Sequence, residues 1–131
     1  MDISDVHNTM SVIEACAQAV YNELGWGWKE CVYREALAVE LRRNNMDVST
    51  EVAHAIKFKG EPLSNVFAKV DMLVNTSIVV ELKTCNSPAA TERAIQQCQR
   101  YLRCCADIQA DNGMVICFPD SPNGVVTVVA T

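Results

Sequence analysis

The segment "VDMLVNTSIVVELKT", residues 70–84, predicts a β-hairpin whose two strands are apolar apart from three charged side chains. A loop formed by residues 75–77 would bring Asp71 directly opposite Glu81 on the neighbouring strand. A loop of two residues would place Asp71 beside Val80 instead, and would mix charged and apolar side chains on both faces. The clean separation of the faces favours the longer loop, so this hairpin fixes the register of a sheet.

The longer loop divides the side chains of the hairpin between two faces. One face is entirely apolar and consists of Ala68, Val70, Met72, Val74, Ile78, Val80 and Leu82. The other face carries Lys69, Asp71, Leu73, Val79, Glu81 and Lys83. Because opposed Cβ atoms lie about 4.5–5.5 Å apart, the two carboxylates of the second face repel each other and destabilise the hairpin. A bound cation would reverse the sign of this effect, and a salt bridge on an exposed face is the alternative explanation.

The length and composition of the chain predict a single domain over residues 1–131. Half of its residues are hydrophobic, so a core can form without disulfides or structural metals. Eleven basic and sixteen acidic residues give a net charge of -5. This balance disfavours a general binder of polyanions but allows a local basic patch.

The cysteines and the apolar segments predict where the protein works. The 7 cysteines contain no CxxC pair, and several occupy apolar positions, which favours buried reduced thiols over zinc ligands or disulfides. The sequence shows no signal peptide and no apolar run long enough to cross a membrane. We therefore expect a soluble, intracellular protein that does not bind membranes.

Periodicity and turn residues predict a chain that alternates between helices and strands. Helices are predicted from about residue 5 to 24, from 28 or 29 to 44, and from 87 to 105. Strands are predicted for residues 52–58, for the two arms of the hairpin, and for residues 113–118 and 125–130. This order places three strands between the second and third helices and predicts a mixed α/β sheet with helices packed on it.

Asp71, Glu81 and Lys83 form the pattern D-x9-E-x-K, and the two-residue period of a strand places all three side chains on one patch. Two carboxylates can hold magnesium or manganese, with water and a substrate phosphate completing the coordination. The ammonium group of Lys83 can then orient or help to deprotonate an attacking water, and can stabilise charge in the transition state. The pattern predicts metal-dependent hydrolysis of a phosphate ester, although a surface salt bridge explains the three residues equally well.

Four blocks of the sequence resemble the GxxExxY family, which belongs to the PD-(D/E)xK nuclease superfamily. The block "ELGWGWKECVYREAL" carries Gly27, Glu30 and Tyr33 at the spacing of this family. "VDMLV" and "VVELK" are similar to its D-L-L-V and V-E-L-K blocks, and "QQCQRYL" is similar to its Q-L-L-x-Y-L block. The resemblance covers roughly residues 20–118, and four blocks in the same order are more specific than any one of them.

The resemblance implies the α/β fold of restriction-endonuclease-like enzymes, with an αβββαβ core. The catalytic residues that it implies are Glu30, Asp71, Glu81, Lys83 and Gln97, and the metal ligands are Asp71, Glu81 and the backbone carbonyl of Leu82. In this scheme Lys83 is the catalytic lysine, Glu30 is a third acidic group and Gln97 is a helper from the later helix.

Helical spacing supports inward positions for two of these residues. Glu30 lies three and seven residues before Tyr33 and Leu37, and Gln97 lies four residues before Tyr101. The alternatives are a carboxylate that stabilises a helix N-terminus and a buried glutamine that bonds to backbone groups. For the two tryptophans at positions 26 and 28, packing under the start of the helix is favoured over stacking on a nucleobase.

These observations predict a metal-dependent nuclease that uses magnesium or manganese and acts on nucleic acid, with DNA favoured over RNA. The first alternative is an inactive domain of the same superfamily that binds nucleic acid or a protein partner, as the net charge of -5 suggests. A structural dimerisation module would explain the valine-rich segment "VVTVV" but leaves the charged triplet unexplained. That segment suits an exposed sheet edge and is compatible with a homodimer.

Overall fold

The structure, a computed structural model, describes residues 3–84, 87–105, 108, 110 and 112–131, without the side chains of residues 3 and 4. Its helices are α1 (Ile3–Leu24), α2 (Glu30–Arg43) and α3 (Pro88–Cys104). Its strands are β1 (Val48–Thr50), β2 (Ala53–Phe58), β3 (Glu61–Lys69), β4 (Met72–Val74), β5 (Ile78–Lys83), β6 (Asn112–Cys117) and β7 (Thr127–Ala130). None of the helices in this described part combines the length and the apolarity that a bilayer-spanning segment requires.

Five strands form one mixed sheet in the order β1-β4-β5-β6-β7. β5 runs parallel to β6, and the other neighbouring pairs are antiparallel. The parallel pair needs a crossover connection, and α3 lies in that connection. Once the inserted β2–β3 pair is set aside, the elements α2, β1, β4, β5, α3 and β6 follow one another in the predicted αβββαβ order. The predicted fold class is therefore confirmed.

Helices cover both faces of this sheet. On one face α1 and α2 form a hydrophobic core with Met72, Val74, Ile78, Val80 and Leu82. On the other face Ala94 and Cys98 of α3 pack with Val79 and Val115. β5 is thus buried on both sides, and its successive side chains enter two different cores.

The predicted register of the hairpin formed by β4 and β5 is confirmed. Met72 pairs with Val80 across the loop, and the next pair in the same register is Asp71 with Glu81. The loop contains two residues with positive φ, Asn75 at 52° and Thr76 at 55°. The sheet therefore opposes the two carboxyl side chains as the sequence predicts.

The strand predicted over residues 52–58 exists as β2, but it does not belong to the main sheet. β2 pairs with β3 in a separate two-stranded sheet, whereas β1, which the sequence analysis missed, pairs with β4. Ala68 and Val70 pack with Val79 and not on the predicted apolar face. The reason is that β3 ends at Lys69 and the chain changes sheets before β4 begins.

Two smaller predictions also agree with the structure. Ser87 caps α3, because its Oγ accepts a hydrogen bond of 3.4 Å from the backbone N–H of Ala90. Among the cysteines that the structure describes, none forms a disulfide, in agreement with the predicted thiols. Cys85 lies outside the described residues.

Candidate active site

Asp71 and Glu81 meet where the β4–β5 hairpin approaches α3. The Oδ2 atom of Asp71 accepts a hydrogen bond of 2.8 Å from the backbone N–H of Leu82. Glu81 is only 2% exposed, and its Oε1 is buried without a hydrogen-bond partner among the described atoms. A salt bridge on an exposed sheet face, the alternative from the sequence, does not fit a carboxyl group that is withdrawn from solvent.

The pKa of Glu81 is raised from 4.5 to about 9. Burial is the largest cause, followed by the hydrogen bond with the side chain of Asp71 and by the negative charge of Asp71, while the positive charge of Lys83 acts in the opposite direction. Without a metal, Glu81 therefore holds a proton at neutral pH. This proton joins the two carboxyl groups and removes the repulsion that their opposition would otherwise cause.

Glu30, the first residue of α2, reaches the same carboxyl pair. Burial raises the pKa of Glu30, the charge of Asp71 and a side-chain hydrogen bond with Asp71 add to this shift, and the charges of Lys83 and Arg34 oppose it. The side chain therefore points to Asp71 and does more than stabilise a helix N-terminus. Glu30, Asp71, Glu81 and Lys83, four of the residues singled out from the sequence, are brought together.

Tyr33 holds the loop that leads into α2. Its hydroxyl group donates a hydrogen bond of 2.7 Å to the carbonyl of Gly25 and accepts one of 3.3 Å from the backbone N–H of Trp28. Gly25 and Gly27 have φ angles of 74° and 95°, a region that suits glycine. The ring of Tyr33 stacks on Phe118 with a centroid distance of 4.3 Å. The sequence analysis placed Tyr33 inward but missed this support for Glu30, although the fixed spacing of Gly27, Glu30 and Tyr33 signals it.

Gln97 and Tyr101 of α3 lie on the other side of the carboxyl pair. The Nε2 group of Gln97 donates a hydrogen bond of 2.6 Å to the hydroxyl group of Tyr101. Burial raises the pKa of Tyr101, and the charges of Glu81 and Asp71 contribute to the shift. The partner of Gln97 is thus a side chain that senses Glu81, and not a backbone group as the alternative held.

A basic cleft with a volume of about 480 Å³ opens beside Lys83. Its lining residues are Lys83, Ala90, Arg93, Ala94, Gln96, Gln97 and Arg100. Arg93, Gln97 and Arg100 share one face of α3, because they are four and three residues apart. The sequence allowed a basic patch but did not identify its members, since only the crossover brings α3 against Lys83. Two arginines and one lysine around a cleft provide the donors that phosphate groups bind.

The donor set suits a hard divalent cation only in part. Two opposed carboxyl groups and the orphaned Oε1 of Glu81 offer the oxygen ligands that magnesium and manganese prefer. Within the described ranges, however, no group of three or more His, Cys, Asp or Glu side chains is arranged to hold a metal ion. Glu30 is therefore not placed as a third ligand, and a metal held by Asp71 and Glu81 would need water, substrate or backbone oxygens to complete its coordination.

Comparisons with known proteins give one match. A model of the PD-(D/E)XK nuclease superfamily matches residues 7–128, which is most of the chain. No curated protein and no solved structure matches. The matched range contains Glu30, Asp71, Glu81, Lys83 and Gln97.

Proposed function

The chain belongs to the PD-(D/E)XK nuclease superfamily, and from this premise we propose that it is a metal-dependent nuclease that hydrolyses phosphodiester bonds, with DNA as its favoured substrate. The observation that carries the proposal is the meeting of Glu30, Asp71 and Glu81 with Lys83 at the edge of a basic cleft. Acidic groups that share a site with a lysine, beside donors for phosphate, suit hydrolysis of a phosphate ester.

Each residue of the site has a proposed task. Asp71 and Glu81 hold the metal ion, with the backbone carbonyl of Leu82 as a further ligand, and Glu81 gives up its proton when the ion binds. The bound ion would supply a water of lowered pKa and neutralise charge on the phosphate. Lys83 orients the attacking water and stabilises negative charge as it develops, and Glu30 acts on Asp71 through their hydrogen bond.

The basic cleft positions the nucleic-acid backbone. Arg93 and Arg100 can each bind a phosphate through the planar fork of the guanidinium group. Gln97 stands between them on the same helix face and keeps its bond to Tyr101. This local concentration of positive charge explains how a chain with a net charge of -5 can approach a polyanion.

The alternative function is a domain of the same superfamily that binds nucleic acid without cutting it. One observation favours it: the described residues offer only two carboxyl groups to a metal ion, and one of them is protonated at neutral pH. A cleavage assay that controls the metal ion separates the two functions.

We expect cleavage in the presence of magnesium or manganese, and none in calcium or in excess chelator, because calcium accepts oxygen ligands but orders the attacking water poorly. The measurement is electrophoresis of end-labelled DNA and RNA in single-stranded, duplex, nicked and overhanging forms, with Asp71→Asn as the inactive control. Cleavage that survives excess chelator would contradict the metal mechanism. Binding of the same substrates with no cleavage under any metal would instead establish the alternative function.

We expect the double variant Arg93→Ala/Arg100→Ala to bind DNA roughly tenfold or more weakly at low salt. The slope of log affinity against log salt concentration should also fall by about 2, because two phosphate contacts are lost. Fluorescence anisotropy of a labelled oligonucleotide in chelator, measured at several salt concentrations, gives both quantities. Arg43→Ala, an exposed arginine of α2 outside the cleft, is the matched control. An unchanged slope in the double variant would remove the cleft from the binding surface.

A further inference from the structure

The two tryptophans of the loop between α1 and α2 are exposed. Trp26 is 49% exposed and Trp28 is 51% exposed. The sequence analysis favoured packing of both rings under the start of α2, and that prediction is wrong. The loop has other means of fixing its conformation, namely the glycines that flank Trp26 and the hydroxyl group of Tyr33. Neither indole ring is needed to fill a core there.

Trp28 is held so that its ring presents apolar surface. Its Nε1–H donates a hydrogen bond of 2.8 Å to the carbonyl of Leu24, and its backbone N–H donates to Tyr33. Because the indole donor is used within the loop, the exposed half of the side chain has only its π system to offer to a ligand. A large aromatic ring held in one orientation and left open to solvent is a feature of stacking surfaces.

The tryptophans also stand next to the acidic site. Trp28 precedes Glu30 by two residues, so their Cα atoms are at most about 7–8 Å apart. Glu30 bonds to Asp71 and is influenced by the charge of Lys83, which lines the basic cleft. A chain of neighbours therefore connects the exposed rings, the carboxyl groups and the arginines of α3.

We propose that Trp26 and Trp28 form a stacking platform for an unpaired nucleobase of the substrate, adjacent to the phosphodiester bond that is cut. The platform rests on the proposed function, because it takes its occupant from the polyanion that the basic cleft binds. Bases inside a duplex are already stacked on their neighbours, whereas an unpaired base exposes its π face. The substrate class is therefore single-stranded nucleic acid, or the frayed or overhanging end of a duplex.

The fluorescence of the protein reports on this platform directly. Trp26 and Trp28 are the only 2 tryptophans of the sequence, so all tryptophan emission comes from the loop. In chelator, which prevents metal-dependent cleavage, a single-stranded oligonucleotide should quench this emission in a saturable way, and a blunt duplex of the same length should quench it much less. Quenching that is absent, or equal for both forms, would overturn the assignment of an unpaired base.

Substitutions test whether the rings contribute to binding. Trp26→Ala should weaken binding of the single strand roughly tenfold, measured by anisotropy of a labelled oligonucleotide, whereas Trp26→Phe should retain most of the affinity. Phe67→Ala is the matched control, because Phe67 is an equally exposed aromatic residue on β3. Circular dichroism verifies the fold of each variant, and Trp28→Phe serves as a second test if Trp28→Ala perturbs the loop.

The outcomes separate the platform from the proposed function. A protein that binds and is quenched by single strands but does not cut them with magnesium retains the platform and loses the nuclease function. A protein that cuts nucleic acid while its emission stays unchanged retains the function and loses the platform. If Trp26→Ala leaves oligonucleotide binding intact but converts a dimer into a monomer, the rings bind a second copy of the chain and the proposal is overturned.

Discussion

Lys83→Ala should lower the rate of nucleic-acid cleavage by roughly 10²- to 10⁴-fold while the protein still binds its metal ion. The reason is that Lys83 is proposed to act on the attacking water and on the charge of the transition state, and not on the ion. Single-turnover cleavage in saturating magnesium measures the first effect, and the rise in melting temperature on adding magnesium measures the second.

Two further substitutions sharpen this test. Lys83→Arg retains a positive charge with a different shape, so it should recover nucleic-acid affinity more fully than cleavage. Lys69→Ala changes an exposed lysine at the end of β3 and should leave both quantities as they are. Equal loss of cleavage and metal binding in Lys83→Ala would instead indicate a lysine that only neutralises the carboxyl groups around it.

The melting temperature of the protein in chelator should fall by roughly 10 °C between pH 5 and pH 9, because of Glu81. Its pKa is about 9 in the folded protein and 4.5 as the ordinary value, so the folded state holds one proton more than the unfolded state across this window. The stability that Glu81 contributes is complete below pH 4.5 and is lost as the pH rises towards 9, by up to about 1 kcal/mol per pH unit.

Glu81→Gln should remove most of this pH dependence, so that the variant is more stable than the native protein at pH 9 and inactive in cleavage. Asp71→Asn should move the window to lower pH, because it removes the charge and alters the hydrogen bond that help to raise the pKa. Glu23→Gln, an exposed glutamate of α1, is the control. If Glu81→Gln retained the native slope, the titration would belong to another group.

The same proton governs the metal ion. Since Glu81 must be ionised to act as a ligand, magnesium should bind more tightly as the pH rises, by up to about tenfold per pH unit below 9, and should release close to one proton. Calorimetry in two buffers with different ionisation enthalpies measures the released protons. A metal ion that binds without proton release would have to use ligands other than Glu81.

The pairing at the centre of the site could be predicted because it depends only on local rules. Apolar alternation in β4 and β5 and the loop of residues 75–77 leave one register that separates the faces, and that register opposes Asp71 and Glu81. The spacing of Glu30 and Tyr33 likewise predicted an inward carboxyl group. These inferences required only knowledge of neighbouring residues and of one strand pair.

Other parts of the fold lay beyond local rules. β1 has only three residues, and β3 contains Pro62, Ser64 and Asn65, the last with a positive φ of 62°, so neither strand shows a clear apolar alternation. Which arginines surround Lys83 depends on the crossover of α3, a long-range arrangement that periodicity does not reveal. The exposure of Trp26 was missed because the usual burial of large aromatic residues ignores the turns that its flanking glycines permit.

The stack of Tyr33 on Phe118 has a consequence for the newly synthesised chain. Phe118 lies 85 residues after Tyr33, close to the C-terminal end of the sequence, and Tyr33 in turn holds the loop that precedes Glu30. A nascent chain still on the ribosome without its last strands lacks this clamp, the β6 partner of β5 and therefore the support for the carboxyl cluster. Translation is thus its own safeguard, because a destructive activity towards nucleic acid can arise only when almost all of the polypeptide has been made.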